Sequence, residues 1–309
     1  MELLRGLTSL RRYHRASVAT IGAFDGVHRG HQAVISQLLD QGRQHGLDTV
    51  LVTFEPLPRE YFAGADARAR LQCFYEQFQT IAALGVGRLL CLRFDERLRS
   101  MTADAFAREI FVEGLRVKSL VLGDDFRFGR DREGDADFMR RLGEAEGFET
   151  HPTGTLSHGA ARVSSSRLRR ALADADFALV RELLGRPFSM SGRVAHGRKL
   201  GRTIGAPTAN INLRRTTVPL HGVYAVTVDG AGLCAAPGVA NVGVRPTVAD
   251  GQKANLEVHL LDWNGDLYGR RLSVTFHKKI RDEQRFEAFE DLKNQIQRDF
   301  LEGRTFFAL

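Results

Sequence analysis

The sequence predicts an α/β first half built on a parallel sheet, then an all-β second half closed by a helix. Three observations carry this. Apolar runs that read as strands, at 18–21, 49–54, 88–92 and 118–122, alternate with helix-like segments such as 32–44, 71–83 and 103–111. Such alternation gives a mostly parallel sheet with helices on both faces. Beyond Gly185-Arg186-Pro187 the texture changes to short β-rich runs at 223–228, 233–239, 256–261 and 272–276. Turn signals at Asp229-Gly230, Asp250-Gly251 and Asn264-Gly265 separate them, as in a small barrel or sandwich. Finally, Phe286, Phe289, Leu292, Ile296 and Phe300 recur at helical spacing and read as a helix packed on the β-domain. The expected division is 1–184 and 185–309.

Composition narrows the function classes. The chain has 309 residues, 43% hydrophobic and 26% charged, ordinary for a soluble globular protein. No stretch approaches the roughly 20 apolar residues of a membrane span. Met1-Glu2-Leu3-Leu4-Arg5 does not open a secretory leader, so a cytoplasmic location and no membrane partner are expected. Cys73, Cys91 and Cys234 are odd in number and far apart, which fits neither a disulfide framework nor a zinc site. Net charge is +7, and 38 of the 44 basic residues are arginine. From Gly185 onward there are 18 basic and 12 acidic residues, so most of the excess lies in the second half, which suits an anionic ligand. The charges are dispersed and lack a recognisable nucleic-acid motif, so no nucleic-acid partner is expected.

Strand ends carry the unusual sequences. After the first strand comes Gly22-Ala23-Phe24-Asp25-Gly26-Val27-His28-Arg29-Gly30-His31, opening a helix. Unpaired N–H groups at a helix N-terminus favour phosphate. His28 and His31, three apart, share one face of the first turn, and Gly22 and Gly30 allow close approach. After the strand at 118–122 comes a loop with Gly123, Asp125, Phe126 and Phe128. The two phenylalanines either stack on a planar ring or fill the core. In Val163-Ser164-Ser165-Ser166-Arg167-Leu168-Arg169, an N-cap accounts for one serine, but three serines with Arg169 on the face of Ser166 suit an anion.

The second half opens on a glycine-punctuated basic loop containing Gly197, Gly201, Arg202 and Gly205, followed by Pro207, Thr208 and Asn210. Arg198 and Leu200 stand where a P-loop needs lysine and a hydroxyl, so this is not a P-loop. Thr208 and Asn210, two apart on extended backbone, face the same way and offer the oxygen ligands that Mg²⁺ prefers; a structural turn is the other reading. In Leu256-Glu257-Val258-His259-Leu260, alternation separates the leucines and valine from Glu257 and His259. Glu257 is either a proton acceptor for a substrate hydroxyl or one of an ordinary solvent-facing pair.

The first half resembles the HxGH nucleotidyltransferases. Gly205-Ala206-Pro207-Thr208-Ala209-Asn210, the run Gly238–Thr247 with Asn241, and the strand bearing Glu257 resemble riboflavin kinase. Collinear over nearly all 309 residues, the chain is similar to the bacterial bifunctional riboflavin kinase/FMN adenylyltransferases, or FAD synthetases. The resemblance implies a Rossmann-like nucleotidyltransferase domain and a six-stranded antiparallel barrel with a C-terminal helix. It implies riboflavin, FMN, FAD and ATP as small-molecule partners and Mg²⁺ as cofactor, with ATP as co-substrate. His28, His31 and Arg169 are then catalytic for AMP transfer to FMN, with Gly22, Phe24, Asp25, Gly30, Gly123, Asp125, Phe126, Phe128 and Ser164–Ser166 binding nucleotide or flavin. Glu257 becomes the kinase base, Thr208 and Asn210 the magnesium residues, and Gly197, Gly201, Arg202, Gly205, Pro207, Asn241 and Arg281 substrate contacts. Two departures stand out. Leu57 in Thr53-Phe54-Glu55-Pro56-Leu57-Pro58 replaces a common histidine, removing a phosphate donor, and Ala206 replaces a common phenylalanine. A kinase with a weakened adenylyltransferase half and a nucleic-acid-binding basic barrel are the competing functions.

Overall fold

The computed structural model describes residues 1–10, 15–64, 67–195, 207–215, 217–247 and 251–309. They form two compact units, one of Met1–Arg68 with Gln77–Ser164, the other of Ala69–Glu76 with Ser165–Leu309. The expected contacts Gly197, Gly201, Arg202 and Gly205 lie outside the described residues, as do Ala206 and Asp250.

In the first unit the elements run β1 (Glu2–Arg5), α1 (Gly6–Leu10), β2 (Ser17–Ile21), α2 (Arg29–His45), β3 (Asp48–Glu55) and α3 (Pro58–Ala63). They continue with α4 (Phe74–Ala83), which belongs to this unit from Gln77 onward, β4 (Arg88–Arg93), α5 (Glu96–Ser100), α6 (Ala103–Ala107), β5 (Val117–Gly123), α7 (Ala136–Glu146) and β6 (Glu149–Thr153). A short hairpin, β7 (Ser157–His158) and β8 (Ala161–Arg162), completes this part. The six long strands make one sheet in the order β1-β4-β3-β2-β5-β6, parallel throughout. β2 is buried along its whole length, as parallel strands covered on both faces are. The four strands read from apolar runs are the inner ones. β1 and β6 have no such run because they lie at the edges, where Glu2, Arg5 and Pro152 are tolerated. The helix expected over 103–111 is α-helical to Ala107 and continues as a π-helix over Arg108–Gly114.

The second unit contains α8 (Ser165–Ala173), α9 (Phe177–Leu184), β9 (Ser189–Ala195), β10 (Ala209–Asn212), β11 (Gly222–Gly230), β12 (Leu233–Thr247), β13 (Gly251–Leu260), β14 (Arg271–Arg281) and α10 (Phe289–Phe307). Strands β9–β14 close into an antiparallel barrel in the order β10-β13-β12-β11-β14-β9. Of the barrel and sandwich alternatives, the barrel is the one formed. The turn signal at Asp229-Gly230 is displaced by two residues. Gly230 still pairs with Leu233, and the turn is Ala231-Gly232, both at positive φ (55° and 87°), as a tight two-residue hairpin turn requires. Asp229 accepts from the Ala235 N–H at 2.9 Å instead. In α10, Phe286 precedes the helix and Phe289 is exposed, while Phe300 and Phe307 pack against Val223, Val239 and Leu261.

Candidate active sites

In the parallel sheet, β2 lies between β3 and β5, so the chain leaves it in both directions. Ligands in such sheets bind beyond the carboxyl ends of the strands at this switch point. The loop after β2 is held by specific contacts. The Gly22 N–H donates to the Val52 carbonyl (3.0 Å), and Gln77 Nε2 donates to the Ala23 carbonyl (2.7 Å). Phe24 and Val27 take positive φ (46° and 42°), which is strained for a β-branched residue. Burial of both side chains and a hydrogen bond from Gln32 Nε2 to the Val27 carbonyl (2.9 Å) hold this geometry. Asp25 is buried and paired with Arg59 of α3, which fixes the loop to the element after β3.

His28 is the N-cap of α2, and its Nδ1 accepts from the His31 N–H at 3.3 Å. An Nδ1 that accepts carries no proton, so in the neutral ring the hydrogen sits on Nε2. The His28 and His31 rings stack at 3.6 Å and 15°, and Phe24 tilts against His31 at 5.1 Å. Burial chiefly, then His28 and Arg162, pushes the His31 pKa well below its usual value, so its ring is neutral near pH 7. Its Nδ1 is buried with no hydrogen-bond partner among the described residues. Such an atom costs about 1–3 kcal/mol, and sites of this kind invite a functional explanation. A Cβ at Gly30 would sit tightly, 3.2 Å from His28 Nδ1 and 3.4 Å from the Val163 carbonyl.

The other expected residues of this half separate by role. Gly123 ends β5, and exposed Asp125 pairs with Arg162 at 3.0 Å. Phe128 is a core residue, packed among Phe106, Phe126 and Phe138. Phe126 is half-buried and stacks on Phe128 at 5.1 Å, so one of its faces is already used. Ser164 ends the first compact unit; Ser165, Ser166 and Arg169 belong to the second, where Arg169 Nε donates to the Ala69 carbonyl at 2.6 Å. Leu57 is fully buried as the N-cap residue of α3, so its side chain serves packing. Arg59 and Arg162 are site cations that sequence reasoning missed. Neither belongs to a recognisable motif, and each is identified only by the residue it meets.

In the barrel, alternation is observed as expected: Leu256, Val258 and Leu260 are buried inward, while Glu257 and His259 are half-buried on the other face. Register places Asn210 of β10 directly opposite Glu257 of β13, and Glu257 directly opposite Asn241 of β12. Directly paired residues share a face with Cβ atoms about 4.5–5.5 Å apart. Three candidates from three strands thus form one row, with Glu257 in the centre. Asn255 Nδ2 donates to Glu257 Oε1 at 2.9 Å, a contact outside the expected set. Thr208 lies two residues upstream of Asn210, beside Pro207, whose carbonyl is 2.9 Å from His259 Nδ1. Amide and carboxylate oxygens in this row, with the Thr208 hydroxyl just upstream, form a hard donor set that fits Mg²⁺. No cluster of three His, Cys, Asp or Glu side chains suited to a metal occurs among the described residues.

Arg281 has a structural task. Its Nε and Nη2 donate to the two carboxylate oxygens of buried Asp299, both at 2.8 Å, and Nη1 donates to the Asp282 carbonyl at 2.9 Å. It therefore clamps α10 to β14, a role the sequence pattern did not suggest.

Comparison with known proteins accords with this geometry. Residues 10–167 match the family model of FAD synthetase, and residues 184–307 that of riboflavin kinase. A protein of Pseudomonas fluorescens named bifunctional riboflavin kinase/FMN adenylyltransferase is 53% identical over 308 residues, covering 100% of this chain and 98% of that one. One of the same name from Escherichia coli K12 is 50% identical over 310 residues, covering 100% and 99%. A crystal structure from Streptococcus pneumoniae, described as a macrolide-efflux protein, has 30% sequence identity and a TM-score of 0.82, covering 98% of this chain and 99% of that one. Among the described residues, no helix is long and apolar enough to cross a membrane. With both halves matched in order and relatives alike end to end, the chain belongs to the bifunctional riboflavin kinase/FMN adenylyltransferase family.

Proposed function

We propose that this chain converts riboflavin to FMN in the module 185–309 and FMN to FAD in the module 1–184, with ATP as co-substrate of both steps, in the cytoplasm. The observation that carries the reading is the division of chemistry between the two compact units. One holds a stacked pair of imidazoles at a helix start. The other holds a carboxylate flanked by two amides.

That division follows from what each nucleophile needs. The riboflavin 5′-hydroxyl must lose its proton as it attacks the γ-phosphorus of ATP. Glu257 accepts that proton while ADP leaves, a contribution of typically 10²–10⁴-fold. Thr208 and Asn210 would hold Mg²⁺, which when bound would neutralise charge on the phosphate oxygens. Asn241 and Asn255 orient Glu257 and its surroundings.

FMN needs no such base, because its phosphate is already an anion. Its oxygen attacks the α-phosphorus of ATP, the bond to the β-phosphate bridging oxygen breaks, and pyrophosphate leaves. Catalysis then rests on positioning and on donors to the developing charge. His28 donates through Nε2, and His31 supplies a second imidazole. Hydrogen bonds to charged groups contribute about 1.5–3 kcal/mol each, so two account for several powers of ten in rate.

Incubating the full chain with riboflavin and Mg-ATP, then separating the flavins, tests the reading. FMN appears first and FAD follows. Folded protein that yields no FMN refutes the kinase assignment, and FMN that never becomes FAD refutes the adenylyltransferase assignment.

A further inference from the structure

His259 has been placed on the face of Glu257 but given no task. Three contacts define its position. Its Nδ1 is 2.9 Å from the Pro207 carbonyl, and since a carbonyl only accepts, Nδ1 carries the proton and donates. Its ring stacks on Phe300 of α10 at 4.0 Å and 15°. That helix is itself clamped twice to the barrel, by Arg281 with Asp299 and by Arg304 with Asp262, whose bonds are 2.6 and 2.7 Å. The Pro207 carbonyl belongs to the peptide that joins Pro207 to Thr208. Fixing it fixes Thr208 and the entry of β10, which carries Asn210 and whose pairing to β13 begins at Ala209.

We propose that His259 is a positioning residue for phosphoryl transfer: braced by Phe300, it holds the Pro207–Thr208 peptide so that Thr208 and Asn210 meet Mg-ATP beside Glu257. The inference rests on the kinase reading above. It assigns a function to the C-terminal helix too, as the rigid backing for a hydrogen bond rather than as a cover for the barrel alone. A solvent-facing histidine with only a packing role predicts no selectivity between the two kinase substrates.

Three variants of the full chain separate these roles. His259→Phe keeps a flat ring for Phe300 and removes the donor. His259→Asn places an amide N–H near the position of Nδ1 and removes most of the stack. His259→Ala removes both. Loss of the donor is expected to raise the KM for Mg-ATP, and the Mg²⁺ concentration for half-maximal FMN formation, by about 3- to 10-fold, the equivalent of one hydrogen bond. The KM for riboflavin stays within about 2-fold on the same argument. Calorimetric binding of Mg-ADP weakens by the same factor in His259→Phe and recovers in His259→Asn, whereas the unfolding midpoint follows the ring and falls more in His259→Asn. Wild-type Mg-ADP affinity in His259→Phe overturns the inference, as does an equal rise in both KM values or a His259→Asn variant no better than His259→Ala. A wild-type chain that forms no FMN overturns the kinase reading instead.

Discussion

Asn210 sits directly across from Glu257, one residue on β10 and one on β13, in a row that Asn241 of β12 extends. Neither strand alone distinguishes this from a turn residue and a surface glutamate; the register joins them. Replacing Asn210 with alanine removes an oxygen donor to a charged ligand, worth about 1.5–3 kcal/mol. FMN formation is expected to fall by roughly 10- to 100-fold at limiting Mg²⁺, and conversion of supplied FMN to FAD to be unaffected. Steady-state assays of both steps on the same preparation check this.

By the resemblance drawn from the sequence, Leu57 takes the place of a histidine, and its side chain is fully buried at the start of α3. Restoring histidine there is expected to bury an imidazole without a partner, at about 1–3 kcal/mol. Leu57→His should therefore lower the unfolding midpoint and leave the rate of FAD formation near wild type. A tenfold gain in that rate, equivalent to ~1.4 kcal/mol, contradicts the packing assignment.

The folded state holds His31 neutral, with its pKa pushed well below 6.5 by burial first and by His28 and Arg162 next. As pH falls below about 6.5, the unfolded chain takes up a proton that the folded chain resists, so stability declines with falling pH and is level above that value. His259 and His277, also lowered by burial, act in the same direction. Unfolding midpoints measured from pH 8 to pH 5 should fall less steeply for His31→Gln than for wild type. Equal slopes contradict the account.

Glu76 and Arg215 form an ion pair with side chains 9% and 1% exposed. Glu76 also accepts the Ser191 N–H at 2.6 Å and the Cys73 N–H at 2.8 Å, and Arg215 Nη1 donates to the Leu71 carbonyl at 3.0 Å. Arg215→Met removes the ion-pair partner of a buried carboxylate whose charge Arg186 also offsets, and should destabilise by about 3 kcal/mol. Urea unfolding monitored by circular dichroism checks this against Glu96→Gln at an exposed pair with Arg99, which should move the midpoint little.

Much of this was legible in the chain because local pattern and burial coincide. Residues 18–21 form an inner strand, and their apolar run says so; β1 and β6 are edge strands, and their composition is accordingly uninformative. His28 and His31 were legible as a pair because three residues on a helix start share a face, and the stacked rings follow from that. The task of Nδ1 as a cap was not, since it depends on the His28 rotamer. Alternation separated Glu257 from Leu256 and Val258, but only strand register could seat it between Asn210 and Asn241. The resemblance gives Arg281 as a substrate contact, and the sequence leaves Phe128 open between ring stacking and core; the contacts with Asp299 and with a cluster of phenylalanines are chosen by the fold and not by local pattern.

The central claim is that two independent sites divide two chemistries, and a crossed assay tests it most directly. Glu257→Gln and His31→Ala, each shown to be folded, are supplied in turn with riboflavin and with FMN, always with Mg-ATP, and the products are separated. Glu257→Gln should lose FMN formation by a factor on the order of 10²–10⁴ while converting supplied FMN to FAD at the wild-type rate. His31→Ala should make FMN normally and accumulate it, with FAD formation reduced about 10- to 100-fold. A variant that loses both activities while folded, or Glu257→Gln that phosphorylates riboflavin at the wild-type rate, contradicts the account.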